Sequence, residues 1–263
     1  MIKLFAADMD GTFLRPSQDF DEARFARIQE AMRKNGQIFV AASGNQKPRL
    51  QRIFKNFPAT YFVAENGGVV AGPDQTYAIN AFSDDIAKKL IELVMPLPDC
   101  HLLLATPDMS YMLSREPAAV IAGQHEWCPH LTVVDDFIPV AHQVVKVMVN
   151  CRAEDTEPLM ARWQREMAAF ANPTSSGRGD IDIIPKGVDK ASGLRELGKA
   201  LGISEAEMCT YGDGGNDISM LDAAGRAVVM ANGSETVKRH ADVIAPSNQD
   251  QGVLSDMMQV LGL

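Results

Sequence analysis

A short apolar run, Lys3 to Ala7, stops abruptly at Asp8, and the chain returns to this arrangement at both ends of its length. Such a run reads as a strand buried on both faces. A helix is expected from about Phe20 to Asn35. Asp19 and Glu22 form a capping-box pattern at its start, and Phe20, Phe25, Ile28 and Met32 make its apolar side. Arg33 and Lys34 suit the negative end of its dipole, and Asn35-Gly36 stops it. A second buried strand, Ile38 to Ala42, ends at Ser43-Gly44-Asn45. A helix at about Pro48 to Phe54 then leads to a third strand, Tyr61 to Ala64, and the turn Glu65-Asn66-Gly67-Gly68. Strands alternating with helices through short connections predict an α/β fold with a parallel sheet covered on both faces.

The last third repeats the pattern. A helix from about Ala191 to Leu201 carries Leu194, Leu197 and Leu201 and closes at Gly202. Met208 to Tyr211 is a strand that runs into Gly212-Asp213-Gly214-Gly215-Asn216-Asp217, and strands are expected at Ala227 to Met230 and Asp242 to Ala245. Between these ends the order changes. Helices at Asp84 to Val94, Pro117 to Trp127 and Thr156 to Phe170 interleave with strands at His101 to Ala105, Tyr111 to Leu113, Gln143 to Asn150 and Asp180 to Ile184. That grammar predicts an inserted antiparallel α+β domain. The expected division is core 1–81, insert 82–185 and core 186–263.

Charge excludes some partners. Twenty-five Lys and Arg against 34 Asp and Glu leave a net charge of −9, which opposes nonspecific binding to nucleic acid or to an anionic membrane. A small anionic substrate is still permitted, because a few local cations or a metal can override the overall field. No apolar run approaches a membrane span, and acid breaks the N-terminal run too early for a signal-peptide core. The four cysteines, at 100, 128, 151 and 209, show no CxxC spacing and sit among apolar neighbours, as suits reduced thiols in a cytoplasm.

Two loops carry the chemistry. Asp8-Met9-Asp10-Gly11-Thr12 follows the first strand, at the edge where open α/β sheets bind ligands. Alone it would read as a solvated turn, and a calcium loop fails for want of a bidentate Glu at the required spacing. The second loop, 212–217, also follows a strand and opens a helix. Two strand ends delivering carboxylates to one edge can assemble a hard-cation site, for which Mg²⁺ is the expected ion. The amides of Gly214 and Gly215 at a helix start favour an anion beside it.

With Ser43-Gly44-Asn45 after the second strand and Lys190 before a helix, these loops resemble the four motifs of the haloacid dehalogenase-like phosphatases. The insert between the second and third motifs resembles the C2B cap of Cof-type (subclass IIB) members. Glu65-Asn66-Gly67-Gly68 and Pro185-Lys186-Gly187-Val188-Asp189-Lys190 strengthen that likeness, which within the group is nearest to bacterial sugar-phosphate phosphatases. Three departures stand out. Many relatives have Thr-Gly-Arg where this chain has Ser43-Gly44-Asn45, and Ala191 follows Lys190 where Gly is usual. Lys186 competes with Lys190 for the third motif, with Lys190 favoured because it directly precedes the helix.

The resemblance implies a Rossmann-like core with a cap and a Mg²⁺-dependent phosphatase of small phosphorylated metabolites. Sugar phosphates are the first expectation, with flavin mononucleotide or another phosphoester open. It implies Asp8 as nucleophile and Asp10 as general acid and base. Asp8, Asp213 and the Asp10 carbonyl are expected to hold the metal, supported by Asp217. Lys190, Ser43, Gly44, Asn45 and Asn216 are expected on the phosphate or substrate side, with Thr12 orienting Asp10. A phosphomutase or phosphotransferase using the same phosphoaspartate, or a non-enzymatic phospho-switch, is the alternative. No obligate protein partner is inferred.

Other residues read more blandly. His125, Cys128 and His130 lack a second Cys/His pair for zinc. The fourteen methionines read as core filler, and Trp127 and Trp163 as packing of the insert. Tyr111 and His142 are possible specificity residues without an argument to single them out.

Overall fold

A computed structural model describes residues 1–177 and 179–263, with the side chains of 176 and 177 left aside. Among the described residues the strands form two sheets. The larger contains β1 (Leu4–Ala7), β2 (Ile38–Ala42), β3 (Tyr61–Ala64), β4 (Val69–Ala71) and β5 (Thr76–Ile79) from the first part of the chain. The smaller contains β6 (His101–Ala105), β7 (Ser110–Leu113), β8 (Leu131–Val134), β9 (Lys146–Asn150), β10 (Ala171–Gly177) and β11 (Asp180–Pro185). β12 (Met208–Gly212), β13 (Arg226–Met230) and β14 (Val243–Ala245) return to the larger sheet, in the order β14-β13-β12-β1-β2-β3-β4-β5. From β14 to β3 every pairing is parallel, and β4 and β5 extend the edge antiparallel.

Parallel strands need covering on both faces. Helix α1 (Glu22–Asn35) buries Phe25, Ile28 and Met32, the i, i+3, i+7 positions that give one apolar stripe. Its cap is Asp21, whose carboxylate accepts from Arg24 N at 2.9 Å, rather than Asp19. Asp19 instead accepts from Arg15 and Ser17, so the helix starts later than the capping-box pattern implies. Helix α2 (Lys47–Ile53) lies against the same region. Between them Phe13, Phe20, Phe25, Phe39, Phe54 and Phe57 form a ring cluster, with Phe13 5.0–5.5 Å from four of the others. Phe13 and Leu14 are fully buried, and their amides bond back to the Asp8 and Met9 carbonyls at 3.0 and 2.9 Å. The loop after β1 is therefore anchored by aromatic burial just beyond its acids.

The smaller sheet, ordered β10-β11-β9-β6-β7-β8, is antiparallel except for β7 with β8, which run parallel. Its strands alternate faces with period 2. Leu102, Leu104, Val147, Val149, Ile181 and Ile183 pack under α3 (Asp84–Val94) and α5 (Thr156–Glu166), with Trp163 buried among them. Leu103, Ala105, Met112 and Val145 point the other way and join the apolar cluster of the larger sheet. α5 ends at Glu166, short of the expected Phe170, because β10 begins at Ala171 and pairs with β11. β9 begins at Lys146, not Gln143, where φ is +52° and leaves the extended region. α4 (Ala118–Trp127) buries none of its side chains. Trp127, expected as packing of the insert, is 42% exposed at the end of that helix and lies under Arg49.

Candidate active site

The acids of the two loops meet where β1 and β12 end side by side. β1 and β12 are paired, with Ala7 opposite Tyr211, so Asp8 and the 212–217 loop leave the sheet at the same edge. The approach is close enough that a Cβ on Gly11, which also has φ +86°, would overlap the Asp213 carboxylate. Only glycine satisfies both conditions there.

Lys190 opens α6 (Lys190–Leu201), held by a capping box between Asp189 and Ser192. An ammonium at a helix N-terminus faces the positive end of the dipole and needs compensation. Lys190 Nζ donates to Asp8 Oδ1 and to Asp217 Oδ1, both at 2.6 Å, with the amine fully buried. Burial alone would push the ammonium down, but Asp217 and Asp8 outweigh it and hold Lys190 above its ordinary range. Lys186 lies exposed after β11, so the structure brings Lys190 and not Lys186 to the acids.

Asp217 has both oxygens committed. Oδ2 accepts from the amides of Asp213 and Gly214 at 2.9 Å, which shapes the loop, while Oδ1 serves Lys190. Asp213 accepts from Thr12 Oγ1 at 2.7 Å. Thr12, expected to orient Asp10, thus orients Asp213 instead, because the turn at Gly11 carries its hydroxyl toward the neighbouring strand end. Burial pushes Asp213 up to about 6, with the Thr12 bond opposing and Asp217 adding. Burial also raises Asp8 well above the carboxylate range, Lys190 opposing and Asp217 and Asp213 adding.

These three acids present oxygens within 4.8 Å of one another. Three carboxylates around one ammonium leave surplus negative charge in a poorly solvated place, and the donors are hard oxygens. A divalent hard cation fits that set. The Asp8 and Asp213 oxygens not engaged by Lys190 and Thr12 are the ones free to hold it.

Asp10 does not join that cluster. Its carboxylate turns toward α2, where Asn45 Nδ2 donates to Oδ2 at 2.7 Å. Ser43 is buried, and its hydroxyl accepts from Asn45 N at 3.1 Å. Asn216 Nδ2 donates to Asn66 Oδ1 at 3.3 Å, and Asn66 Nδ2 to Asp182 Oδ2 of β11 at 2.8 Å. Gly44 offers its carbonyl to Lys146 Nζ of β9 at 2.8 Å.

The sequence singles out neither Lys146 nor Asp182, and it shows Glu65 and Asn66 only as part of the Glu65–Gly68 turn, without a role. Lys146 is buried and sits 2.7 Å from Glu65 and 3.5 Å from Asp182. Glu65 is 1% exposed, and the Lys146 ammonium compensates its buried charge. Burial raises Glu65 with Lys146 opposing; burial lowers Lys146, but Asp182 and Glu65 outweigh that and raise it. Glu65 and Asn66 both have positive φ, +52° and +54°, a strained pair of non-glycine residues at the edge of the site. The signals in the sequence were a lysine opening an otherwise apolar strand and the Glu65–Gly68 turn.

The remaining candidates lie elsewhere. Cys128 is buried, its thiol pushed up to about 11 by burial, and His130 Nδ1 pairs with the Asp108 carbonyl. His142 pairs with Asp84 on the surface, and Tyr111 is half-buried in β7.

This two-sheet fold with an acid-and-lysine cluster at the strand ends defines a hydrolase class. Residues 5–257 match the haloacid dehalogenase-like hydrolase family, and the chain belongs to that family as an enzyme of its phosphatase class. It is 33% identical over 261 residues to the 5-amino-6-(5-phospho-D-ribitylamino)uracil phosphatase YbjI of Escherichia coli (strain K12), covering 99% of this chain and 96% of that one. The crystal structure of SMU.1108c from Streptococcus mutans UA159 superposes with a TM-score of 0.92 at 30% identity, covering all of both chains. The subclass IIB sugar phosphatase BT4131 shares the fold at a TM-score of 0.82 and 18% identity, over 99% of each chain. No helix among the described residues is long and apolar enough to cross a membrane.

Proposed function

We propose that the protein is a Mg²⁺-dependent phosphatase of small phosphorylated metabolites, working through a phosphoryl group carried on Asp8. The observation that carries this reading is the convergence of Asp8, Asp213 and Asp217 within 4.8 Å of one another, with the Lys190 ammonium bonded to Asp8 and Asp217. A bound Mg²⁺, held by Asp8 and Asp213, supplies charge neutralisation between the anionic nucleophile and the phosphate.

The chain's own groups divide the remaining work. The Asp8 carboxylate attacks phosphorus, forming an acyl phosphate as the P–O bond to the leaving group breaks. Asp10 delivers a proton to the departing ester oxygen and then takes one from the water that attacks the phosphoaspartate. Lys190, Ser43 and Asn216 stand to hold the transferring oxygens, and Asp217 keeps Lys190 and the 212–217 loop in place. The inserted sheet, with Asp182 and Lys146 set against Asn66 and Gly44, covers the site and excludes water.

The leaving group is most naturally a polyol. A cleft of about 410 Å³ beside Lys190 and Asn216 is lined by Asn66, Asn172, Thr174 and Ser219, which offer hydrogen bonds, with Ile184 and Ile218 as its apolar part. Sugar phosphates and phosphorylated alditol conjugates, the class named for the Escherichia coli relative, fit that lining. A panel of these esters, with flavin mononucleotide and a bisphosphate, assayed for phosphate release with Mg²⁺ tests the reading. The highest kcat/KM is expected for a singly phosphorylated polyol; no release from any of them, or undiminished release in a chelator, contradicts it.

A further inference from the structure

The Asp10 carboxylate is bracketed by the start of α2. Asn45 donates to Oδ2, and one turn further on Arg49 brings Nη2 to 4.0 Å from Oδ1. Arg49 is only 5% exposed, an expensive position for a guanidinium. Nη2 donates to Gln18 Oε1 at 2.9 Å, and Nη1 to the Glu126 carbonyl at the end of α4, at 3.3 Å. The Trp127 ring lies 4.0 Å from the guanidinium carbon, while Nε is buried with no hydrogen-bond partner. These contacts fix the plane of the head group beside Asp10. The other cations of α2 are engaged on the inserted domain: Lys47 pairs with Asp108 at 2.6 Å, and Arg52 donates to the Glu126 carbonyl at 3.2 Å.

We propose that Arg49 is a positioning residue for Asp10: with Asn45 it holds the acid in the rotamer that serves the leaving-group oxygen, and Trp127 and Glu126 hold Arg49. Docking of the inserted domain and placement of the acid are thereby one event. The proposal rests on the role given to Asp10 above.

Leaving-group dependence tests it. Expulsion of an alkoxide needs the proton from Asp10, whereas p-nitrophenolate leaves without one. The assay compares kcat/KM for a primary alkyl phosphate and p-nitrophenyl phosphate, both with Mg²⁺. Asp10→Asn is expected to lose alkyl activity selectively. Arg49→Gln should lower the alkyl value about tenfold or more and the aryl value less than about threefold. Trp127→Ala, changed at an exposed side chain, should move the ratio in the same direction, and Arg49→Lys should recover part of it. If Asp10→Asn shows the selectivity while Arg49→Gln and Trp127→Ala lower both substrates equally, or neither, the positioning role is wrong. If Asp10→Asn shows none, the acid role itself fails.

Discussion

Lys190 Nζ and Asp8 Oδ1, 182 residues apart in the chain, meet at 2.6 Å in a place closed to solvent. A second carboxylate, Asp217, lies at the same distance on the same amine. Removing one partner of a buried ion pair leaves the other charge uncompensated, at a cost of roughly 3–5 kcal/mol. Lys190→Met should therefore destabilise the metal-free protein by that amount in a denaturant melt, and Mg²⁺ should recover part of it. Stability equal to wild type in a chelator would show that the amine does not neutralise the cluster.

The pH dependence follows from the same surplus of charge. Burial raises Asp213 to about 6 and Asp8 in the same direction, above the unfolded value near 4. A raised acid binds more protons folded than unfolded, so its favourable contribution is present at low pH and is lost as pH rises through the folded value. For Asp213 the loss is about 3 kcal/mol at most. Without metal, stability should fall from about pH 4 to above pH 6, and Mg²⁺ should stabilise most at the upper end, where both acids are ionised. Melting temperatures across that range, with Mg²⁺ and with chelator, check the sign. A Mg²⁺ effect largest at the acid end would contradict it.

Thr12 makes a finer test of which acid holds the metal. Its hydroxyl donates to Asp213 Oδ1 at 2.7 Å and touches neither Asp8 nor Asp10 in the hydrogen bonds described. Loss of a group that orients a ligand typically costs about 10–100-fold in metal affinity or activity. Thr12→Val should raise the Mg²⁺ concentration for half-maximal rate within that range while leaving the rate at saturating Mg²⁺ closer to wild type. An unchanged Mg²⁺ curve would remove Asp213 from the metal's ligands.

Much of this arrangement could be read in the sequence because its determinants are local. Asp8 and Asp213 each follow an apolar strand directly, and β3, α3 and β6 have the bounds that their apolar patterns predict. β10 was not legible: Ala-Asn-Pro-Thr-Ser-Ser-Gly has little strand propensity, and its structure comes from pairing with β11. β4 and β5 are short, and β5 is largely exposed, so alternation is weak. Asp19 mimics a cap two residues before the true one at Asp21, a displacement that side-chain competition with Arg15 and Ser17 decides. The Lys146–Glu65–Asp182 group and the Arg49–Asp10 approach are tertiary, joining strands of the smaller sheet and α2 to the loops after β3 and β1, and no spacing rule announces them.

That tertiary group is itself testable. Lys146→Met leaves Glu65 buried with no partner and should cost roughly 3–5 kcal/mol, and adding Glu65→Gln should return a large part of it. A double-mutant cycle by urea denaturation measures the coupling. Additive losses would mean that the two side chains do not stabilise one another.

In the proposed reaction Asp8 carries the phosphoryl group. The direct measurement is mass spectrometry of the Asp10→Asn variant quenched in acid after mixing with substrate and Mg²⁺, because loss of the base that activates water should let the phosphoenzyme accumulate. One phosphoryl group per chain is expected, mapping to the peptide that contains Asp8 and absent when Asp8→Asn is added. A phosphoryl group on another residue, or full turnover in Asp8→Asn alone, would rule out Asp8 as the nucleophile.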